Sequence, residues 1–251
     1  MPPIQPFFRQ ATPTETRVMC LYVGANLCVV LFCAGYLVLA FGASGVAWPL
    51  ILAALVVGYA LADFASGLVH WGLDTWFDES VLGRVVAIAR EHHTHPQHIL
   101  GYGFLEHAAL GSAPSAVVLG TASIITGLLP VSAVTYLLMV VWFVVSACLL
   151  FGTSFHNLCH RRSASPLVRL AQALHLIVSP EHHWVHHRSQ TIRYCVINGW
   201  SNPVCDRFQV WRRLERVIQA ATGAEPRRDD LEWQRNYKAT GILSSPRARA
   251  R

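Results

Sequence analysis

Charge is what this sequence has least of, and the scarcity is concentrated. Only 14% of its 251 residues are Asp, Glu, Lys or Arg, against 53% hydrophobic. None of the four lies between His107 and His160, and between Arg17 and Glu79 there are only Asp63, Asp74 and Asp78. Uncharged stretches of that length exclude an ordinary soluble domain, because about 20 apolar residues at a 1.5 Å rise already cross a hydrocarbon core of about 30 Å. A Cys-x-x-Cys pair is also lacking. The seven cysteines, Cys20, Cys28, Cys33, Cys148, Cys159, Cys195 and Cys205, therefore read as reduced packing residues rather than a thiolate metal site or redox motif. No cleavage site follows the first apolar run, which begins at Val18 and is too long for a signal-peptide core, so it is expected to stay in the mature protein.

What is present is a set of four long apolar runs, predicted as spans over 18–41, 46–69, 113–129 and 131–155. The turns joining the first pair and the last pair carry no charge, so each pair forms a tight hairpin. All 20 Lys and Arg lie outside the spans: Arg9 and Arg17 before the first, Arg84 and Arg90 between the second and third, and the other 16 from Arg161 onward. That bias puts both termini, the middle loop and the tail in the cytoplasm. A buried soluble hairpin over 113–155 is the competing reading, but the rest of the chain could not cover so much apolar surface. The expected architecture is all-α: a four-helix transmembrane bundle with a cytosolic helical cap. It divides into a cytosolic amino-terminal segment (1–17), a membrane domain (18–239) and a disordered basic tail (240–251). In the cap, 166–178 reads as one amphipathic helix. A second, over 207–221, sets Trp211, Leu214 and Ile218 against four arginines; it could lie on anionic lipid or pack on the protein itself.

The 13 histidines carry the chemistry, through their placement more than their number. None falls mid-span; all lie at one membrane face or in the segments beyond it. His70 and Asp74 are four residues apart, as are His156 and His160, so each pair shares one side of a helix. In SPEHHWVHHRS, His183 pairs with His186 and His187, and His182 with His186. Neutral imidazoles with an occasional carboxylate suit iron, zinc or copper. Three or four ligands would indicate zinc. About eight to ten from four segments are too many for one ion, and with no thiolate motif they favour two irons. The expected ligands are His70, Asp74, His92, His93, His156, His160, His183, His186 and His187, with His175 and His182 as further candidates. His95, His98 and His107 read as ordinary polar residues. Asp63 lies seven residues before His70 on the same helical face and is expected to orient a ligand imidazole.

Six stretches then carry a family resemblance: ADFASGLVHWGLDTW, REHH, HNLCH with its Pro-led helix, SPEHHWVHH, INGWSNP and FQVWRRLERVIQAATGAEPRRDD. From about Gly58 to Lys238 the chain resembles the Kua/CarF family of lipid desaturases, whose histidine boxes fall on His70 with Asp74, His92 with His93, His156 with His160, and His183, His186 and His187. His175 and His182 match positions that are histidine in the branch acting on plasmanyl lipids. One family histidine is missing where this chain has Tyr102, and His95, His98 or His107 are the candidates to replace it.

The resemblance implies oxygen-dependent removal of two hydrogens from C1 and C2 of the sn-1 O-alkyl chain of a plasmanyl phospholipid. It also implies two iron ions, O2 as co-substrate and an external electron donor such as a b-type cytochrome or a ferredoxin. Arg161, Arg188 and Arg193 are the candidates to hold the headgroup phosphate, and no nucleic-acid partner is expected. The alternatives are an acyl desaturase or hydroxylase of the same di-iron class, and a regulatory membrane protein without catalysis. A metal transporter would need ligands along a mid-membrane path, where only Asp63 stands, and a haem cytochrome would need histidines within the spans.

Overall fold

A computed structural model describes residues 10–77, 84–161 and 163–227; the basic tail expected over 240–251 lies outside them. Every regular element among these residues is helical. Four helices are long and apolar enough to cross a membrane: α1 (Pro13–Ser44), α2 (Trp48–Thr75), α4 (Phe104–Leu128) and α5 (Ala133–His160). α1 starts at a reciprocal cap, in which the Thr12 hydroxyl accepts the Glu15 N–H (3.2 Å) and the Glu15 carboxylate accepts the Thr12 N–H (2.8 Å). It stops at Gly45, whose φ of 63° suits glycine.

The helices outrun the spans expected from apolarity, chiefly at one end of the bundle. α2 continues to Thr75, α5 to His160, and α4 begins at Phe104 rather than at 113. Hydropathy marks where hydrocarbon lies, whereas backbone hydrogen bonding and caps decide where a helix ends. These extra turns carry His70, Asp74, His156 and His160, so the candidate ligands stand on extensions of the spans.

α5 is the hub: α1, α2 and α4 all pack on it, and α1 also packs on α4. Glycine sets how closely these helices approach. A Cβ on Gly58 would stand 2.9 Å from the Val144 Cβ, and one on Gly111 would stand 2.3 Å from the Leu149 carbonyl oxygen. Inside the bundle Asn26 is fully buried; it accepts from the Ser115 hydroxyl at 2.7 Å and donates to the Ser146 carbonyl at 3.2 Å. Its outer face is strongly apolar, with Leu39 86% and Leu128 81% exposed, as suits lipid contact.

The cap comprises α3 (Arg84–Thr94), a single 3₁₀ turn (His98–Gly101), α6 (Pro166–Ala173), α7 (Pro180–Ser189), α8 (Asn202–Arg207) and α9 (Val210–Thr222). The helix expected over 166–178 ends at Ala173, and His175 then adopts φ 53°. The helix expected over 207–221 is broken at Gln209, with φ 50°, which separates α8 from α9. α9 packs on the protein: Trp211 is fully buried and stacks on Phe64 at 6.0 Å, while the Trp71 indole donates to Glu215 at 3.2 Å.

Residues 192–202 form a plug without regular structure for most of its length, yet Tyr194, Cys195 and Ile197 are fully buried in it. Buried backbone must find partners, and α2 supplies them. Asp63 Oδ1 accepts the N–H groups of Ile197, Asn198 and Gly199 at 3.1, 3.0 and 2.9 Å, and its Oδ2 accepts that of Ser201 at 2.9 Å. The Ser66 hydroxyl takes the Val196 N–H at 3.1 Å. Farther along the chain, Arg227 closes the carboxyl end of α2, its guanidinium donating to the carbonyls of Leu73 and Asp74 and its N–H to that of Thr75. Carbonyls at a helix end lack partners within the helix, and a cation there also suits the helix dipole.

Candidate metal centre

Four elements deliver side chains to one buried point. His70 and Asp74 come from α2, His92 and His93 from α3, His156 and His160 from α5, and His183, His186 and His187 from α7. α7 is only ten residues long, but a Ser179 cap and Pro180 fix its start, and its 3.6-residue turn puts three imidazoles on one side. The nine side chains fall into two groups, each with ligand atoms within 4.8 Å of one another. One is His92, His156, His160, His183 and His187; the other is His70, Asp74, His93 and His186. All nine residues are buried.

Within each group the donor atoms are the Nε2 nitrogens. His156 and His183 approach at 2.7 Å, His187 and His183 at 2.9 Å, and His160 lies 3.2 Å from His156 and 3.4 Å from His187. In the second group His93 and His186 are 3.1 Å apart, and Asp74 Oδ2 lies 3.4, 3.6 and 3.5 Å from the Nε2 of His70, His93 and His186. Ligand atoms bound about 2.0–2.1 Å from one cation would be separated by about 2.9–3.4 Å, and the observed spacings of 2.7–3.6 Å lie within about 0.2 Å of that range. The two groups adjoin, with His92 and His93 centroids 4.4 Å apart and those of His70 and His156 5.4 Å.

Proton placement supports the same fit. A carbonyl can only accept, so His70 Nδ1, 3.0 Å from the Tyr194 carbonyl, carries its proton, as does His186 Nδ1, 2.8 Å from that of Ile192. His92 Nδ1 donates likewise to Ala89 at 2.5 Å. In all three rings Nε2 is therefore a bare lone pair aimed into the cluster. His70 Nε2 and His92 Nε2 are buried without a hydrogen-bond partner among the described residues. Such orphans are costly in an apolar interior, and a bound cation would satisfy them. Burial first, and neighbouring imidazoles second, hold His92, His183 and His187 well below the usual histidine range, so they stay neutral and able to coordinate.

Other expected site residues stand elsewhere. His175 is exposed and outside both groups, since its left-handed backbone turns it away after α6. His182 shares α7 with three of the nine but faces the other way, its Nδ1 2.8 Å from the Arg193 guanidinium and its Nε2 2.8 Å from the Asn202 amide. Asp63 orients no imidazole directly; it is spent on the four N–H groups of the plug, and acts on His70 and His186 only through the Tyr194 and Ile192 carbonyls that the plug presents. None of His95, His98 and His107 joins either group in place of the family histidine missing at Tyr102. Tyr102 donates to the buried Glu91, which also accepts from His98 at 2.8 Å, and His107 faces Asn157 at 3.0 Å. Arg161 and Arg188 are exposed. Sequence reasoning missed Glu91, whose place in REHH beside His92 was its only signal, and the two plug carbonyls, which have none.

A narrow apolar cavity meets the cluster at His70, His92 and His156 and runs between α2, α4 and α5 to Leu149 and Gly152. A larger groove of about 640 Å³ lies beside it, between α1, α2, α4 and the start of α3.

No solved structure matches the chain. Mouse plasmanylethanolamine desaturase 1 is 35% identical over 76% of this chain and 73% of that protein. Plasmanylethanolamine desaturase of Myxococcus xanthus is 34% identical over 72% of this chain, which spans just under two thirds (65%) of that relative. Chloroplastic fatty acid desaturase 4 of Arabidopsis thaliana is 32% identical over 68% of this chain and 52% of that protein. The lipid desaturase domain matches residues 59–229, from the middle of α2 to just past Arg227, so the chain belongs to the lipid desaturase family and is a membrane oxidoreductase.

Proposed function

We propose that the protein introduces a vinyl-ether double bond into the sn-1 O-alkyl chain of a plasmanyl phospholipid. The reaction takes one hydrogen each from C1 and C2 and, with O2, two electrons and two protons, yields the alkene and two waters. The observation that carries this reading is the convergence of eight imidazoles and one carboxylate in two adjoining groups at the end of the bundle, against an apolar cavity. Two iron ions held there would supply an oxidant able to break an unactivated C–H bond, which no side-chain acid or base can do. His92, His156, His160, His183 and His187 would hold one, and His70, Asp74, His93 and His186 the other. The Ile192 and Tyr194 carbonyls keep His186 and His70 in the tautomer that exposes Nε2, and burial keeps His92, His183 and His187 neutral. The apolar wall of Val69, Leu73, Ile88 and Leu110 accepts a hydrocarbon chain and excludes water from the reacting carbons.

The ether position is favoured by depth. The groove touches α2 at Leu68, Val69, Gly72 and Leu73, the turns that carry His70 and Asp74, and its rim bears Thr14, Glu15 and Arg84. Polar rim and ligands thus share one level, which brings carbons near a lipid's headgroup within reach. An electron-transfer protein, such as a b-type cytochrome or a ferredoxin, supplies the electrons at this face. Both termini are cytoplasmic, because the basic residues outside the spans collect on that side. The test is lipid mass spectrometry in a host that makes plasmanyl but not plasmenyl phospholipid. Expression should produce the vinyl ether; a new mid-chain double bond with no vinyl ether would move the assignment to acyl lipids.

A further inference from the structure

The inner cavity and the groove beside it are two parts of one path. Val69, Leu73 and Leu110 line both, and these three side chains are all that is common to them. The path exists because of how the helices pair. α2 packs on α5, whereas α1 packs on α4 and α5, so a cleft is left between α2 on one side and the α1–α4 pair on the other. Its outer part is walled by Val18, Met19 and Tyr22 of α1 and by Ala113 and Pro114 of α4. A volume of about 640 Å³ is in the range of small-molecule sites. Its lining is apolar except at the mouth, where Arg84, held by Glu106 at 2.7 Å, stands with Thr14 and Glu15. An apolar trough with charges of both signs at one end fits a molecule with a hydrocarbon chain and a polar head.

We infer that this groove is the lipid-binding site through which one chain of a glycerophospholipid reaches the metal centre, sideways from the bilayer between α1 and α2, with Leu110 as the gate to the inner cavity. The inference rests on the desaturase reading for what happens at the end of the path, and goes beyond it in saying where the substrate lies. None of Arg161, Arg188 and Arg193 lines the groove or the cavity, so the headgroup sits instead at the mouth by Arg84. α1 lies before the matched domain, which begins at residue 59. One wall of the substrate site is therefore built by a helix outside the matched segment, and changes in α1 alter lipid choice without touching the metal centre.

The test uses full-length, metal-loaded protein in nanodiscs and a 1-O-alkyl phospholipid with a photoreactive diazirine on its sn-1 chain. After irradiation and digestion, adducts should concentrate in peptides holding Val18 to Tyr22, Leu68 to Leu73 and Leu110, above those at the exposed Leu39, Val117 and Leu128. Leu110→Trp should cut turnover at least about tenfold with unchanged metal content, and shift adducts outward to Met19. Val18→Trp, at a site already 40% exposed, should weaken labelling without disturbing the fold, while Val117→Trp on the outer face should do neither. Labelling that only follows lipid exposure, or full turnover by Leu110→Trp, would overturn the site even if the protein makes vinyl ether. Groove labelling without desaturation of any lipid would uphold the site and sink the enzymatic reading instead.

Discussion

Asp63, in the membrane half of α2, and Gly199, in the plug that closes the bundle, are joined by a hydrogen bond of 2.9 Å from the glycine N–H to a fully buried carboxylate. The glycine is required twice over. Its φ is 81°, and a Cβ there would come within 3.0 Å of His182 Nε2. Together with the N–H groups of Ile197, Asn198 and Ser201, this bond fastens the loop whose carbonyls set two candidate ligands.

Asp63→Asn turns one of the accepting oxygens into a donor facing an N–H. The expected loss is about 2–4 kcal/mol, or about 4–16 °C in Tm at about 2–4 °C per kcal/mol. Thermal denaturation of the purified variant in detergent measures it, and a Tm within about 2 °C of wild type would contradict the role given to this carboxylate.

His70→Ala, His93→Ala, His160→Ala and His187→Ala each remove an imidazole from a different helix. Each should lose activity and bound metal beyond the about 10–100-fold typical of disturbing a ligand's hydrogen-bond partner. His95→Ala, which stands outside both groups and stacks on His98, should keep most of both. Comparable activity across all five variants, at equal membrane levels, would refute the ligand assignment.

Elemental analysis of wild-type protein expressed with iron available should find about two irons per chain, one for each group of converging side chains. Stoichiometric zinc without iron would remove the oxidative mechanism.

Acid should destabilise the metal-free protein through its histidines. Burial lowers His182 and His95 from 6.5 to about 4 and holds His92, His183 and His187 well down too. The unfolded chain therefore binds more protons below pH 6.5, and stability falls as pH drops toward the depressed values. For His182 and His95 the loss develops between about 6.5 and 4 and adds nothing further below. A Tm profile that stays flat from pH 7.5 to 4.5 would show that these rings are not buried neutral.

A reporter fused after Arg251 should be active only on the cytoplasmic side. Activity on the opposite side would overturn the shared orientation of termini and cap.

Much of this was legible from local pattern. Uncharged runs marked the four long helices, and the four-residue spacing of His70 with Asp74 and of His156 with His160 marked side chains that share a helical side. What was illegible depends on backbone that no spacing describes. The left-handed residues His175 and Gln209 end helices that the apolar pattern would have continued. His182 has the same helical spacing to His186 as His183 has to His187, yet rotation about α7 sends it to Arg193 and Asn202. Asp63 lies on the right face of α2 for an imidazole partner, but the plug, more than 130 residues later in sequence, occupies it first.

The bond from Arg227 to the end of α2 also sets an order of events during synthesis. Its guanidinium reaches back 153 residues to the Asp74 carbonyl, and α7, which brings three of the nine converging side chains, follows all four long helices. A nascent chain thus completes its four long helices before it holds all nine converging side chains. A metal that needs the side chains of both groups could load only after α7 is made, and a chain interrupted before Arg227 leaves the ribosome without the clamp that secures Asp74.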